Sequence, residues 1–379
     1  METKKILYTA TVAKTHVAQF HIPCLKMLQS MGWRTEVAAK NDYDNPEDCR
    51  IPGCDAYHDI PFERRPWNLR NICAYRELKK LIRENHYDVI HCHTPVGAMV
   101  TRLAAMGARR KGTRVVYTAH GFHFYRGAPK VNWLFYYPVE WFLAFFTDVI
   151  VTINQEDYAF ARKHLRAGKV VYIPGVGVDR QRFYPDPQVR EAKRRELGLS
   201  DQDFALLTVA EMTKNKNHAT VLEALSLLKD KPEFEHFQYY IVGCGEQWDA
   251  LKEQTALLGL EDHVKFLGYR KDVDDLYRAC DLFIFMSFRE GLSLALMEAM
   301  SSGMPVLCAE IRGNVDLVEN GVSGKFAGYT PDSIASAIEE MYDEPEARRS
   351  MGEKAVHRTE RLGRDRILAD MKQLYEDLF

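Results

Sequence analysis

The segment CDLFIFMSFREGLSLALMEAM, residues 280–300, carries the reading on which the fold rests. Its first half is an apolar, aromatic run of strand length. Its second half has the composition of a helix, and Gly291 stands between the two. A strand that turns through glycine into a helix is the joint of a parallel βαβ unit. Free backbone N–H groups at such a joint, here those of Gly291, Leu292 and Ser293, can approach an anion such as a diphosphate. Glu290 and Glu298 are expected on roughly the same side of that helix, Glu298 within reach of a ribose hydroxyl pair. The plainer reading is a carboxylate complementing the helix dipole plus an ordinary helix glutamate.

Working outward, the same alternation recurs on both sides. FALLTVAEM (204–212), YYIVGCG (239–245), HVKFLGY (263–269) and MPVLCAE (304–310) are further strand ends in the second half. In the first half KKILYTATVA, TEVAAK, YDVIHCHT, TRVVYTAH and DVIVTIN repeat the pattern. The fold class is therefore α/β, with two doubly wound Rossmann-like domains facing a cleft. The Gly- and Pro-rich stretch IPGVGVDRQRFYPDP (173–187) reads as the join. Expected boundaries are 1–178, 179–360 and a last helix in 361–379. That helix has one sticky face at Ile367, Met371, Leu374 and Leu378. Periodicity leaves open whether it packs on its own domain or crosses back to the first.

At 379 residues, with 46% hydrophobic and 27% charged residues, the chain suits two soluble globular domains. No basic-then-apolar leader precedes ILYTATV, and the most apolar stretch, Val131 to Val151, is broken by Pro138, Glu140 and Asp148. A cytoplasmic location is expected. Eight scattered cysteines without a CxxC pair fit reduced thiols. Charge is split: residues 1–180 carry 26 Lys and Arg against 17 Asp and Glu, and residues 181–379 carry 25 against 36. The first half thus expects an anionic partner. ARRKGTR (108–114) is its longest basic run, too little for nucleic acid, so a membrane surface or a phosphorylated lipid fits better. VNWLFYYPVEWFLAFF has eight aromatics between Trp133 and Phe146. Part of it is expected to be core, and its start, together with ARRKGTR, to touch the bilayer from the inner face.

Other strand ends supply polar groups. Gly243 and Gly245 permit close approach of a base or ribose, although Trp248 replaces the third glycine of a dinucleotide fingerprint. Lys216, between a strand and a helix, can neutralise phosphate. His91 and His93 share one face of a strand as a possible metal pair, but no third ligand is indicated. Asp272, Asp274 and Asp275 precede a helix and read as caps. No metal is expected.

Taken together, Glu290 with Glu298, Lys216, VGCGE, VKFLGY, LYRACDLFIFMS and PVLCAEIRGNVDLVENGVSGKFA resemble, in order and spacing, the nucleotide-binding domain of GT-B glycosyltransferases of family 4. The resemblance spans about residues 204–330. It implies that Glu290 contacts the donor sugar, that Glu298 holds the ribose, and that Lys216, with Lys214 beside it, holds the diphosphate. Phe266, Gly268 and Tyr269 would lie near the base. In the first half, ATVAKTHVAQFHIP and TAHGFHFY resemble the branch that builds capsular and exopolysaccharide repeat units. Thr15 and His16 stand there in place of a glycine pair. The resemblance puts His120 beside the reacting sugar and Thr15, His16, His93 and His123 on the acceptor side. It implies retaining, metal-independent transfer from a UDP-linked hexose or N-acetylhexosamine to a polyprenyl-diphosphate-linked acceptor, with no cofactor beyond the donor. One departure is plain: Ala210-Glu211-Met212 stands where the family has Gly-Arg-Leu. That departure keeps a silent glycosyltransferase-like subunit open, and the shared two-domain plan keeps open a nucleotide-sugar 2-epimerase.

Overall fold

Seven strands make the first sheet: β1 (Lys5–Val12), β2 (Arg34–Lys40), β3 (Ala56–Asp59), β4 (Val89–His93), β5 (Arg114–Ala119), β6 (Val149–Thr152) and β7 (Lys169–Tyr172). All pair in parallel, in the order β3-β2-β1-β4-β5-β6-β7. Six more make a second parallel sheet: β8 (Phe204–Val209), β9 (Phe237–Val242), β10 (Val264–Gly268), β11 (Leu282–Phe285), β12 (Val306–Ala309) and β13 (Lys325–Ala327), in the order β10-β9-β8-β11-β12-β13. The computed structural model describes residues 3–379. They divide into one unit of residues up to Val176 plus 365–379, and a second of residues 177–364.

The central strands are buried along their whole length because helices cover both faces of each sheet. Side-chain alternation sends Ile6, Tyr8, Val37 and Val89 to one face of the first sheet and Leu7, Ala38 and Ile90 to the other. Strand order reverses between β1 and β4 and again between β8 and β11. These are the switch points where the loops at strand carboxyl ends part and leave room for ligands.

The last helix, Arg364–Glu376, packs on the first unit, burying Ile367, Met371, Leu374 and Leu378 against Ile6, Tyr8 and Val89. Four such side chains contribute on the order of 6–12 kcal/mol of transfer free energy before ordering costs. Tyr375, absent from the expected face, is fully buried as well. The unit boundaries fall after Val176 and Arg364, a few residues from the expected 178 and 360. The reason is a local pairing: Val178 N–H donates to the Leu362 carbonyl at 2.9 Å, and Arg364 N–H donates to the Val178 carbonyl at 2.8 Å. Arg364 Nη1 also meets Asp179 at 2.8 Å. Both connections between the units are therefore tied together inside the second one.

Candidate functional site

In the second unit, Lys216 lies in the turn after β8 and Glu290 in the loop after β11, the two strands flanking the switch. Their side chains meet, Lys216 Nζ to Glu290 Oε1, at 2.7 Å. The helix after Glu290 runs Leu294–Ser301, with Ser293 as its cap; Ser293 Oγ accepts from Leu296 N–H at 3.2 Å. Glu290 is thus in a loop rather than on the helix, which corrects the expected shared helix side for Glu290 and Glu298. Gly291 and Leu292 belong to that loop too. It is pinned by Arg312 Nε, which donates to the Glu290 carbonyl at 3.2 Å, and by Gly313 (φ 84°), where an added Cβ would sit 2.4 Å from the Gly291 carbonyl oxygen.

Glu298 receives a long hydrogen bond from Tyr277 Oη at 3.4 Å. Burial pushes its carboxyl up to about 7, against the opposing pull of Arg182, Tyr277 and Arg364. A carboxyl poised near neutrality can either accept from or donate to a hydroxyl. Gly243 and Gly245 answer to a different need than the one expected. A Cβ on Gly243 would lie 2.0 Å from the Ala210 carbonyl oxygen, and one on Gly245 would lie 2.4 Å from that of Met212. The close approach these glycines permit is that of the chain's own Ala210–Met212 segment, which bonds back through Met212 N–H to the Cys244 carbonyl at 2.9 Å. Phe266 packs edge-on to Trp248, while Tyr269, Lys214 and Glu211 are exposed. The three aspartates do not cap by side chain. Asp272 pairs with Lys193 and Arg270, Asp274 with Arg182, and Asp275 with Arg278.

In the first unit, the carboxyl ends of β1, β4 and β5 bring histidines together. His16 sits in a π-helical turn, Ala13–Ala18, directly after β1. Asp42 holds that turn, accepting from Lys14 N–H at 2.5 Å, Thr15 N–H at 3.1 Å and Thr15 Oγ1 at 2.7 Å. Thr15 is therefore occupied locally. His21 follows five residues after His16, a π-helical spacing, and their Nε2 atoms lie 3.2 Å apart. His93 ends β4, and its Nδ1 lies 3.2 Å from Nε2 of His120, the residue after β5. The four offer ligand atoms that all lie within 4.8 Å of one another. Burial, then the neighbouring rings, holds His16, His21 and His93 well below the usual imidazole range, and burial takes His120 to about 4.

His91 is outside this group. Its Nδ1 meets Tyr375 Oη at 2.6 Å and its Nε2 meets Thr118 Oγ1 at 2.7 Å, so both ring nitrogens are spent. The His91/His93 pairing that strand alternation alone offered is thereby broken up, and the further donors beside His93 come from other segments. His123 also stands apart, stacked on Tyr136 at 4.5 Å. His21 was missed by sequence reasoning; the only signal was its five-residue spacing from His16.

The helix Lys130–Ala144 buries Glu140 and Leu143 but exposes Val131, Leu134, Phe135, Val139, Trp141 and Phe142, with Phe145 beyond its end. Glu140 is held by the fully buried Arg102, whose Nη2 donates to Oε1 at 2.9 Å. The ARRKGTR segment lies near the end of this helix rather than its start, since Arg109 makes a two-oxygen contact with Asp148, at 2.9 and 3.1 Å. The parallel crossover requires this, because the helix begins at the carboxyl edge of β5 and ARRKGTR leads into its amino edge. A second exposed patch went unread in the sequence: Trp67 and Leu69, both 77% exposed, sit among Arg64, Arg65 and Arg70 in the loop after β3. No helix among the described residues is long and apolar enough to cross a membrane.

Residues 189–358 match the family "Glycosyl transferases group 1", and residues 5–154 match "Glycosyl transferase 4-like". The chain is 38% identical over 377 residues to the protein named "Putative glycosyltransferase EpsD" of Bacillus subtilis, covering 98% of this chain and 96% of that one. It is 30% identical over 290 residues to the "UDP-Gal:alpha-D-GlcNAc-diphosphoundecaprenol alpha-1,3-galactosyltransferase" of Escherichia coli, covering 74% of each. The fold is that of Anabaena Alr3699/HepE, solved in complex with UDP and glucose, with a TM-score of 0.78, 24% identity, and 99% and 100% of the two chains covered.

Proposed function

The chain belongs to the GT-B glycosyltransferases of the family 4 type, and from that premise we propose that it moves a sugar, with retention, from a UDP-sugar to a lipid-linked acceptor at the inner face of the cell membrane. The observation that carries the donor half is the Lys216–Glu290 contact at the switch point of the second sheet, with Glu298 close behind. With no donor bound, Lys216 is neutralised by Glu290. An arriving diphosphate competes for the lysine and frees Glu290 to face the sugar. Lys216 then stabilises the charge that grows as the bond from C1 of the sugar to the phosphate oxygen breaks. The acceptor hydroxyl forms its bond to C1 on the same face and passes its proton to the departing phosphate oxygen. Glu290 positions the sugar, Glu298 binds the ribose, and His120 lies beside the reacting sugar. Exposed Glu211 contributes nothing to phosphate, so binding rests on Lys216, Lys214 and the backbone of the 290–293 loop.

Two observations support the acceptor half. The Escherichia coli relative is named for a diphosphoundecaprenol substrate. The exposed apolar side of Lys130–Ala144, with the Arg-flanked Trp67 loop, has the composition of an interfacial surface. The test is a donor screen: thermal shift and slow hydrolysis against UDP-, GDP- and ADP-sugars, with Glu290→Ala and Lys216→Ala beside the native chain. A specific ligand raises the melting temperature in proportion to occupancy. One UDP-sugar should stabilise the native chain and neither variant. Failure of every nucleotide sugar to bind would overturn the reading.

A further inference from the structure

We propose that His16, His21, His93 and His120 form a binding site for one divalent transition-metal ion of the zinc class. Three observations carry it. The first is convergence. The rings come from the turn after β1, the residue before the next helix, the end of β4 and the residue after β5, yet their ligand atoms all lie within 4.8 Å. Two of the spacings, His16 to His21 and His93 to His120, are 3.2 Å. Nitrogens around a tetrahedral zinc at 2.0–2.1 Å stand about 3.3 Å apart, so both pairs already have the required spacing and the rest must close by about 1.5 Å at most.

The second is an orphan. His93 is 2% exposed, and its Nε2 has no partner among the described residues. An imidazole nitrogen left in that condition costs free energy and is a lone pair or proton without a use. His91, one turn of the pleat away, shows the contrast, with both nitrogens bonded. A polar residue that packed merely as core would be expected to look like His91.

The third is the chemistry of the donor set. Four imidazoles and no carboxylate or thiolate suit zinc, copper, nickel or cobalt rather than magnesium or calcium. Their surroundings hold them in place. Asp42 fixes the turn bearing His16, and Tyr8 stacks on His93 at 5.2 Å. Metal binding here does not depend on the transferase reading. If that reading holds, an ion ligated by His120 withdraws this residue from the reacting sugar, so occupancy inhibits transfer.

The experiment uses the full chain, stripped with a chelator and titrated with zinc against a chromogenic indicator. Cobalt(II) is added in parallel for its visible absorption in a tetrahedral nitrogen field. One equivalent should bind. His16→Gln, in the π-helical turn, and His21→Gln, just before the next helix, should each weaken binding at least roughly tenfold, since even partners one shell further out matter by 10–100-fold. His164→Gln, at an exposed histidine elsewhere in the same unit, should leave it unchanged. Circular dichroism and melting curves establish that each variant is folded; His93→Gln replaces any that is not. Binding of no equivalent, or of one that all the folded tetrad variants retain, overturns the proposal. Transfer activity is assayed separately with and without zinc. Zinc that binds without slowing transfer refutes only the inhibitory consequence, and a chain that transfers nothing leaves the binding result standing.

Discussion

Acidification from about pH 7.5 to about pH 5 should unfold the first unit selectively. The argument starts from histidines buried as neutral rings. Burial lowers His91 from 6.5 to about 3 and His120 from 6.5 to about 4. A histidine whose folded value lies below its unfolded one is indifferent to pH above about 6.5. Below that, the unfolded chain takes up a proton that the folded chain refuses, and stability falls until the folded value is reached. Each pH unit in that window is worth ~1.4 kcal/mol per ring, so by about pH 5 these two rings cost about 4 kcal/mol. His16, His21 and His93, shifted in the same direction by burial and by the neighbouring rings, add to the loss. The second unit has compensation. His218, lowered to about 4 by burial, loses ~2 kcal/mol by about pH 5, but Glu298 moves the other way. With a folded value of about 7 against 4.5 unfolded, it is destabilising when charged and gains stability as pH falls from 7 towards 4.5. Its partial exposure leaves ~1–2 kcal/mol of that gain, which roughly cancels His218. Four of the five tryptophans (Trp33, Trp67, Trp133 and Trp141) lie in the first unit, so fluorescence-detected urea unfolding at several pH values follows that unit, and hydrogen exchange in β8 and β9 follows the other. His120→Gln should recover ~2 kcal/mol at about pH 5 and nothing at about pH 7.5. A fluorescence midpoint that does not move between these conditions, or a second unit that exchanges first, would refute the reasoning.

Glu298→Gln should stabilise the second unit by ~1–2 kcal/mol at about pH 8 and weaken nucleotide-sugar binding, seen as a higher melting temperature with a smaller donor-induced shift. Glu140→Gln leaves the Arg102 guanidinium buried against Tyr117 with a neutral partner and should cost about 3–5 kcal/mol in urea unfolding, whereas Arg102→Met with Glu140→Leu should cost far less. Leu134→Glu with Phe135→Glu should leave the melting temperature within about 1–2 °C of native, because both side chains are exposed, and abolish co-sedimentation with anionic vesicles; retained sedimentation would remove that helix from the membrane contact.

The alternation of strand and helix was legible because central parallel strands are apolar on both faces. The strands that escaped were β3, β7 and β13, all sheet edges of three or four residues whose side chains are only partly buried. β3 and β13 have no continuous apolar run to mark them, and that of β7, Val170-Val171-Tyr172 with Ile173 after it, is short and runs straight into the Gly- and Pro-rich join. Glu290, Lys216 and Glu298 were legible through their spacing, but the start of the helix was not: Gly291 looked like its opening, while the side chain that caps it is Ser293. The histidine group was half legible. His16, His93 and His120 were singled out one by one, and what joined them was the order β1-β4-β5, which brings residues 16, 93 and 120 to one edge of the sheet. A linear pattern holds no information on that juxtaposition, nor on Tyr375 reaching His91 across 284 residues.

The return of residues 365–379 to the first sheet has a consequence for synthesis. The first unit is first to emerge from the ribosome and last to be finished, because Tyr8, Val89 and His91 wait uncovered until Met371 and Tyr375 have been made. The second unit, continuous from residue 177 to 364, can close on itself in the meantime. A chain released after residue 364 should therefore carry a protease-resistant second unit behind a first one that chaperones still hold.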